Sequence, residues 1–561
     1  MVDIQSVRFR SRPNLYTIVT LVCVAVIVFL LVYPLGRMIV QMVLGGQIGD
    51  AVSVFSQPWF LPVLVNTIII VGVSTALAVI IGALLAWINE RTDARLGPVG
   101  TLMPIIPLFI PNVAMSIGWV FIAAPRVGFL NGWLGHLPEW MTFQLNIYSW
   151  GGMIFIYTIN SVPYVYLIVA AALRNLDPAL EEASRIHGAR LLRTFTHISI
   201  PSVRPALLSA ALLCLITNIG VYSIPAVIGT TAKIDVLTTR IVFLLNRDFP
   251  PKMAEAQMLG VIMLAAVGLL WYFQSRSNAG GQFATIGGRA TGNGAIQMGR
   301  WKWPARLITI GYLAATSLFP ILALGIVSLQ PFWTPNINWG VLGFGNYHQT
   351  LFINGLAAAS LRNSLIFAGI GSMIAMFIAV VVAIYSVDKS SRIGGLVDAV
   401  IKTSAAIPHL ILGVAFLIAF SGSPFMLSGT AAILIMAFIV MYIPPGSIAA
   451  VSALTQIGRD LREASYVNGA DEGRTVRRIV IPLAMPGFIA GAAIVFVHMM
   501  GDLSAAALLA GIRNPVVGFA ILSIWEAGTF GVLAAFSMML CIVNIVVIAV
   551  MFGFGRIIRR R

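Results

Sequence analysis

The chain has 561 residues, 59% of them hydrophobic and 10% charged, with a formal net charge of +16. Soluble domains cover their surface with roughly 25% charged residues, so a string of soluble domains is excluded. The three cysteines, Cys23, Cys214 and Cys541, lie in apolar stretches without a CxxC, which argues against a disulfide framework or thiolate metal cluster and for small buried hydrophobes.

Apolar blocks long enough to cross roughly 30 Å of hydrocarbon as a helix predict twelve spans. They fall near 15–36, 62–88, 99–123, 148–173, 204–226, 256–274, 305–329, 361–386, 399–420, 429–450, 484–508 and 530–555. The first block ends Val32-Tyr33-Pro34-Leu35 without a small-x-small cleavage site, so it reads as an uncleaved anchor. With Arg8, Arg10 and Arg12 placed in the cytoplasm, 27 of the 35 Lys and Arg residues fall in cytoplasmic segments. That is the asymmetry of the positive-inside rule. The excess charge therefore records topology and contact with anionic membrane lipids, and no nucleic-acid partner is expected. Segment 275–304, rich in Gly, Ser, Asn and Gln, predicts a cytoplasmic linker. It separates a first six-span half, 1–274, from a second, 305–561.

The two halves repeat one another. Residues 180–207 align without gaps on 461–488, with twelve of 28 positions identical. Earlier in each half Asn66/Asn363, Gly72/Gly369, Arg95/Arg392, Gly97/Gly394 and Pro111/Pro408 pair at a different offset. The difference fits a longer outer loop near 124–147 in the first half. Both halves run in the same direction, which predicts a parallel repeat about an axis along the membrane normal, with a pathway between the halves.

The strongest likeness falls in two cytoplasmic loops, about 174–204 and 451–483, although connectors ordinarily tolerate change. Glu182, Ala183 and Ser184 start a short helix, and Gly188 suits a left-handed stop. Arg193 follows in an amphipathic stretch, and Pro201 and Pro205 set the start of the next span. Glu463, Ala464, Ser465, Gly469, Arg474, Pro482 and Pro486 repeat the plan. A protrusion built twice suits two equivalent sockets, as one soluble dimer would supply.

The pattern E-A-S-x-x-x-G, nine residues, then I-x-I-P resembles the EAA loop of ABC-importer permeases, with Ser for the third-position Ala and Ile for Leu. More loosely, nearly the whole chain resembles the fused, two-halved permeases of the iron(III)-type importer family, whose relatives also carry thiamine, phosphonates or sugar phosphates. Residues 218–229 and 502–509 are similar to that group's stretches after the loop. The resemblance implies an all-α polytopic membrane protein, with twelve transmembrane helices as two parallel six-helix repeats (the type I ABC importer permease fold). It implies the bacterial inner membrane, with both termini cytoplasmic. It further implies that each loop is a coupling helix seated on one subunit of a homodimeric ABC ATPase, while a periplasmic or lipid-anchored binding protein delivers cargo. Glu182, Ala183, Ser184, Gly188, Arg193 and Pro201, with Glu463, Ala464, Ser465, Gly469, Arg474 and Pro482, would form the coupling elements.

ATP and Mg belong to that partner in this reading. No GxxxxGK[ST] occurs, and none of the five lysines follows a glycine, so the chain has no phosphate-binding loop of that kind. It is expected to be a transporter subunit holding no cofactor or metal, not an enzyme. The 19 acids lie nearly all in loops, leaving no carboxylate ladder for proton coupling. Pathway candidates are Asn112 and His409, aligned after the repeated prolines, and Asp502 beside an apolar block; Asn218 and Tyr222 enter by resemblance. No cluster of carboxylates or tyrosines is visible as an iron site, so cargo rests on resemblance alone. A twelve-span secondary transporter is the competing reading. Thr92-Asp93-Ala94-Arg95-Leu96-Gly97 sits where the major facilitator loop would, but lacks its adjacent Asp-Arg and trailing basic pair.

Overall fold

The computed structural model describes residues 15–97, 100, 103–138, 143–177, 179–279, 296–387, 400–401 and 403–560. Most of the expected linker, the N-terminal arginines and the loop carrying Arg392 and Gly394 lie outside the described residues. Within hydrocarbon every backbone N–H and C=O must be satisfied inside the protein, and the apolar blocks meet that demand as helices. The elements used below are α1 (Leu15–Leu44), α2 (Phe60–Arg91), α3 (Asn112–Ala123), α4 (Trp150–Arg174), α5 (Ala179–Ile186), α6 (Arg204–Ile219), α7 (Leu237–Asn246) and α8 (Met253–Ala279). The second half supplies α9 (Gly299–Leu329), α10 (Gly355–Val387), α11 (His409–Ser421), α12 (Ala431–Thr455), α13 (Arg459–Val467), α14 (Ile481–Met500), α15 (Ser504–Leu509), α16 (Val517–Glu526) and α17 (Phe530–Arg560).

Among the described residues nine helices are long and apolar enough to cross a membrane, or ten if α6 and the preceding Leu192–Ser202, bent by 72°, form one span. The two expected spans that fall short occupy equivalent places in the repeat. Among the described residues of blocks 99–123 and 399–420 the longest helices are the short α3 and α11, each starting directly after a proline. Pro111 and Pro408 share φ −58° and ψ 135°. Proline lacks an N–H and disfavours helix in the residue before it, so an uninterrupted apolar block is interrupted as backbone. Ahead of α3 the chain forms a 3-10 turn, Met103–Phe109, with Pro107 inside it.

The first helix of each half crosses to the other half. α1 packs on α11, and α9 packs on α3. The second contact is close: a Cβ on Gly118 would lie 2.7 Å from Pro320, and the Trp119 indole donates to the Ala315 carbonyl at 2.9 Å. Consequently one apolar cluster runs through both halves, including Ile27, Val113, Phe121, Leu324, Phe416, Phe438 and Phe536. Towards the two hairpins the core divides into one cluster around Leu85, Val165 and Leu173 and another around Leu454, Val480 and Phe488. Residues such as Ile68, Ile80, Met373 and Phe377 stay exposed on α2 and α10, an apolar surface suited to acyl chains.

Candidate functional site

Two features stand out, a pair of hairpins at one end of the bundle and a cavity between the halves. Each hairpin begins with a short helix, α5 or α13, closed by a glycine in left-handed backbone: Gly188 at φ 79° and Gly469 at φ 78°. The closure is the same in both. Ala189 N–H donates to the Ser184 carbonyl and Ala470 N–H to the Ser465 carbonyl, each at 3.1 Å. These bonds satisfy carbonyls that the helix end would otherwise leave orphaned.

The serine hydroxyls then tie the turn shut. Ser184 Oγ lies 3.1 Å from Thr194 Oγ1, and Ser465 Oγ lies 2.8 Å from Thr475 Oγ1, with both threonines buried. Ser184 and Ser465 thus face into the hairpin. Glu182, Ala183, Gly188, Arg193 and Pro201 are exposed, as are Glu463, Ala464, Gly469, Arg474 and Pro482. So are large apolar side chains at matched positions: Leu180 and Leu461, and above all Ile186 at 84% and Val467 at 87% exposure.

One anchor escaped the sequence reading. Glu181 is buried, with Oε2 3.5 Å from Arg91 Nε, and its Oε1 accepts from Ser199 Oγ at 2.5 Å. Arg91 also donates to the Leu173 and Leu176 carbonyls at 2.7 and 2.6 Å. The first hairpin is thereby fastened to α2 and α4. Glu182 recurs in the repeat as Glu463, whereas Arg462 takes the place of Glu181 in the second half.

The cavity holds about 220 Å³, and Asn112, Asn218, Tyr222, His409 and Asp502 all line it. Asn112 and His409 open α3 and α11, so the two prolines that shorten those helices place both side chains at the wall. Beside each proline sits a glycine of the opposite half. A Cβ on Gly220 would lie 2.8 Å from Pro408 Cβ, and one on Gly501 would lie 2.9 Å from Pro111 Cβ. Asn218 is held within the first half, donating from Nδ2 to Ser161 Oγ at 2.9 Å. Asp502 Oδ1 accepts from the Ala505 N–H at 2.7 Å, while Oδ2 accepts from the Tyr442 hydroxyl at 2.7 Å and lies 3.8 Å from His409 Nδ1. The His409 ring packs edge-on to Tyr442 at 4.9 Å, and His498 stacks on Tyr442 at 6.1 Å.

Tyr442, His498, Asn160 and Tyr164 join the wall without having been picked out in the sequence. Their one signal there is a polar side chain inside an apolar block. The halves also meet where α7 and α16 end: Arg247 pairs with Glu526, and Asn246 Nδ2 donates to the Ala507 carbonyl at 2.9 Å. Among the described residues no three His, Cys, Asp or Glu side chains are arranged to hold a metal ion.

Comparison with known proteins follows the same division into halves. The family described as "Binding-protein-dependent transport system inner membrane component" matches residues 78–276 and again 371–561. A ferric transport system permease protein, FbpB, of Actinobacillus pleuropneumoniae is 26% identical over 539 residues, covering 94% of this chain and 76% of the relative. An Fe(3+)-transport system permease protein, FbpB 2, of Haemophilus influenzae is 24% identical over 482 residues, covering 85% of this chain and 86% of the relative. A Salmonella typhi permease protein named for 2-aminoethylphosphonate transport is 29% identical over 230 residues, 39% of this chain and 76% of its own length.

Proposed function

Because this chain belongs to the binding-protein-dependent transport system inner membrane component family, we propose that it is the whole membrane pathway of an ABC importer, both permease halves fused in one subunit. The observation that carries this reading is the pair of repeat-related hairpins, each presenting an exposed glutamate and a nearly fully exposed Ile186 or Val467. Apolar side chains so placed on a membrane protein's protruding turns mark a protein interface. Their matched geometry suits two identical sockets of an ATPase dimer on the cytoplasmic side. ATP and Mg act in that dimer. Its closure draws the hairpins together, the halves tilt about their shared membrane core, and the cavity between them opens to a binding protein on the other face. Hydrolysis resets the halves.

Cargo of the iron(III) class is the reading supported by the ferric-transport relatives, which align over most of the chain. The coupling assignment is tested by the double variant Glu182→Lys with Glu463→Lys. It is expected to insert normally, fail to copurify with the proposed ATPase partner and lose uptake. Normal copurification and transport would overturn the assignment.

A further inference from the structure

The cavity wall is chemically one-sided. His409, His498 and Asp502 belong to the second half, and the repeat places Asn112, Thr217 and Val221 at the matched positions of the first. The first half therefore contributes amides, hydroxyls and phenols, while every imidazole and the carboxylate come from the second. Among the described residues no lysine or arginine lines the cavity, and Asp502 is the one carboxylate that does. The Asp502 carboxylate is fixed in place. Its Oδ1 is pinned by the Ala505 N–H, and its Oδ2 meets the Tyr442 hydroxyl and faces His409.

Resting on the permease reading above, we propose that this wall is a transit station for a metal cation, with Asp502 as its anionic anchor, and that it turns away oxyanion cargo. A cation arriving here meets one carboxylate, two imidazoles that bind as neutral nitrogen ligands, and the oxygens of Asn112, Asn160, Tyr164 and Tyr222. A phosphonate or sugar phosphate meets that same carboxylate with no lysine or arginine among the described lining residues to offset it, and like charges repel strongly where little water intervenes. The groups do not converge into a three-ligand metal site. That looseness suits passage, because a conducting site must bind well enough to admit its ion and weakly enough to release it. The preference separates this chain from the relative named for 2-aminoethylphosphonate transport.

The test uses the full chain alone in nanodiscs of zwitterionic lipid, titrated with Tb3+, a hard trivalent ion whose emission is sensitised by nearby tyrosines. A saturable site is expected, and Asp502→Asn, whose amide oxygen still accepts from Ala505, should weaken it about tenfold, the equivalent of about 1.4 kcal/mol. The double variant His409→Asn with His498→Thr installs the first-half residues and should weaken it about threefold with Asp502 intact. It also serves if Asp502→Asn fails to fold. In a separate titration without Tb3+, millimolar 2-aminoethylphosphonate should give no saturable heat of binding to the parent. Tb3+ titrations of folded variants indistinguishable from the parent, or saturable binding of the phosphonate by itself, would overturn the proposal. No ATPase is present in the assay, so this result stands apart from the fate of the hairpin assignment.

Discussion

The two halves agree at the hairpins and differ at the cavity. Gly188 and Gly469 adopt the same left-handed turn, and the Ser184–Thr194 and Ser465–Thr475 contacts repeat to within a few tenths of an ångström. Against this, His409, His498 and Asp502 stand where the first half has Asn112, Thr217 and Val221. Symmetry is kept where a symmetric partner would grip the chain and is lost where a single cargo would pass. Between these extremes lies a reciprocal contact, Gly220 on Pro408 and Gly501 on Pro111, through which each half bears on the other beside the cavity.

The largest break in the comparison should come from Glu181→Ala. The Arg91–Glu181 pair is buried, with side-chain exposures of 10% and 3%, and removing one partner of such a pair typically costs about 3–5 kcal/mol. The first hairpin should loosen from α2 and α4, read as faster amide exchange over 179–200, while 459–480 stays unchanged. Gly220→Leu and Gly501→Leu should each destabilise the protein by about 1–3 kcal/mol through overpacking. Equal losses of melting temperature in the two would sharpen the picture of a reciprocal contact. Gly188→Val and Gly469→Val should each cost about 1–2 kcal/mol by forcing a branched residue into left-handed backbone. They should impair ATPase binding alike, measurable by copurification.

The smallest effect concerns a tether present in the first half. Asp93 accepts from the Met298 N–H at 3.0 Å and pairs with Lys302 at 2.9 Å, and the repeat puts Ser390 at its matched position. Burial pushes the Asp93 carboxyl up, but the Met298 hydrogen bond and Lys302 outweigh it and hold the pKa below the ordinary value of 3.8. Its stabilisation is thus complete above the unfolded carboxyl's pKa and is lost as pH falls through the lower folded value. Asp93→Asn should therefore lower the melting temperature slightly at pH 7, and its difference from the parent should shrink as pH falls below about 4.

What the sequence revealed follows from where repetition carried the signal. The hairpins were legible because Glu182, Gly188 and Pro201 recur at one spacing as Glu463, Gly469 and Pro482. Pro111 and Pro408 were visible as a matched pair, yet the apolar blocks around them read as full spans, since hydrophobicity along a chain does not report a broken backbone. Tyr442 and His498 were hidden because neither has a like residue in the first half. The stacking of His498 on Tyr442, which in turn donates to Asp502, depends on how α12 and α14 pack. Glu181 was overshadowed by its neighbour: one residue carries the shared motif, and the next carries the anchor.

The most direct test of the central claim is a cryo-EM structure of the chain assembled with the ABC ATPase dimer proposed as its partner. The account predicts Ile186 and Val467 each buried in a groove of a separate ATPase subunit, with the two hairpins related by the same pseudo-two-fold axis as the halves. Either hairpin left open to water in that assembly would contradict it.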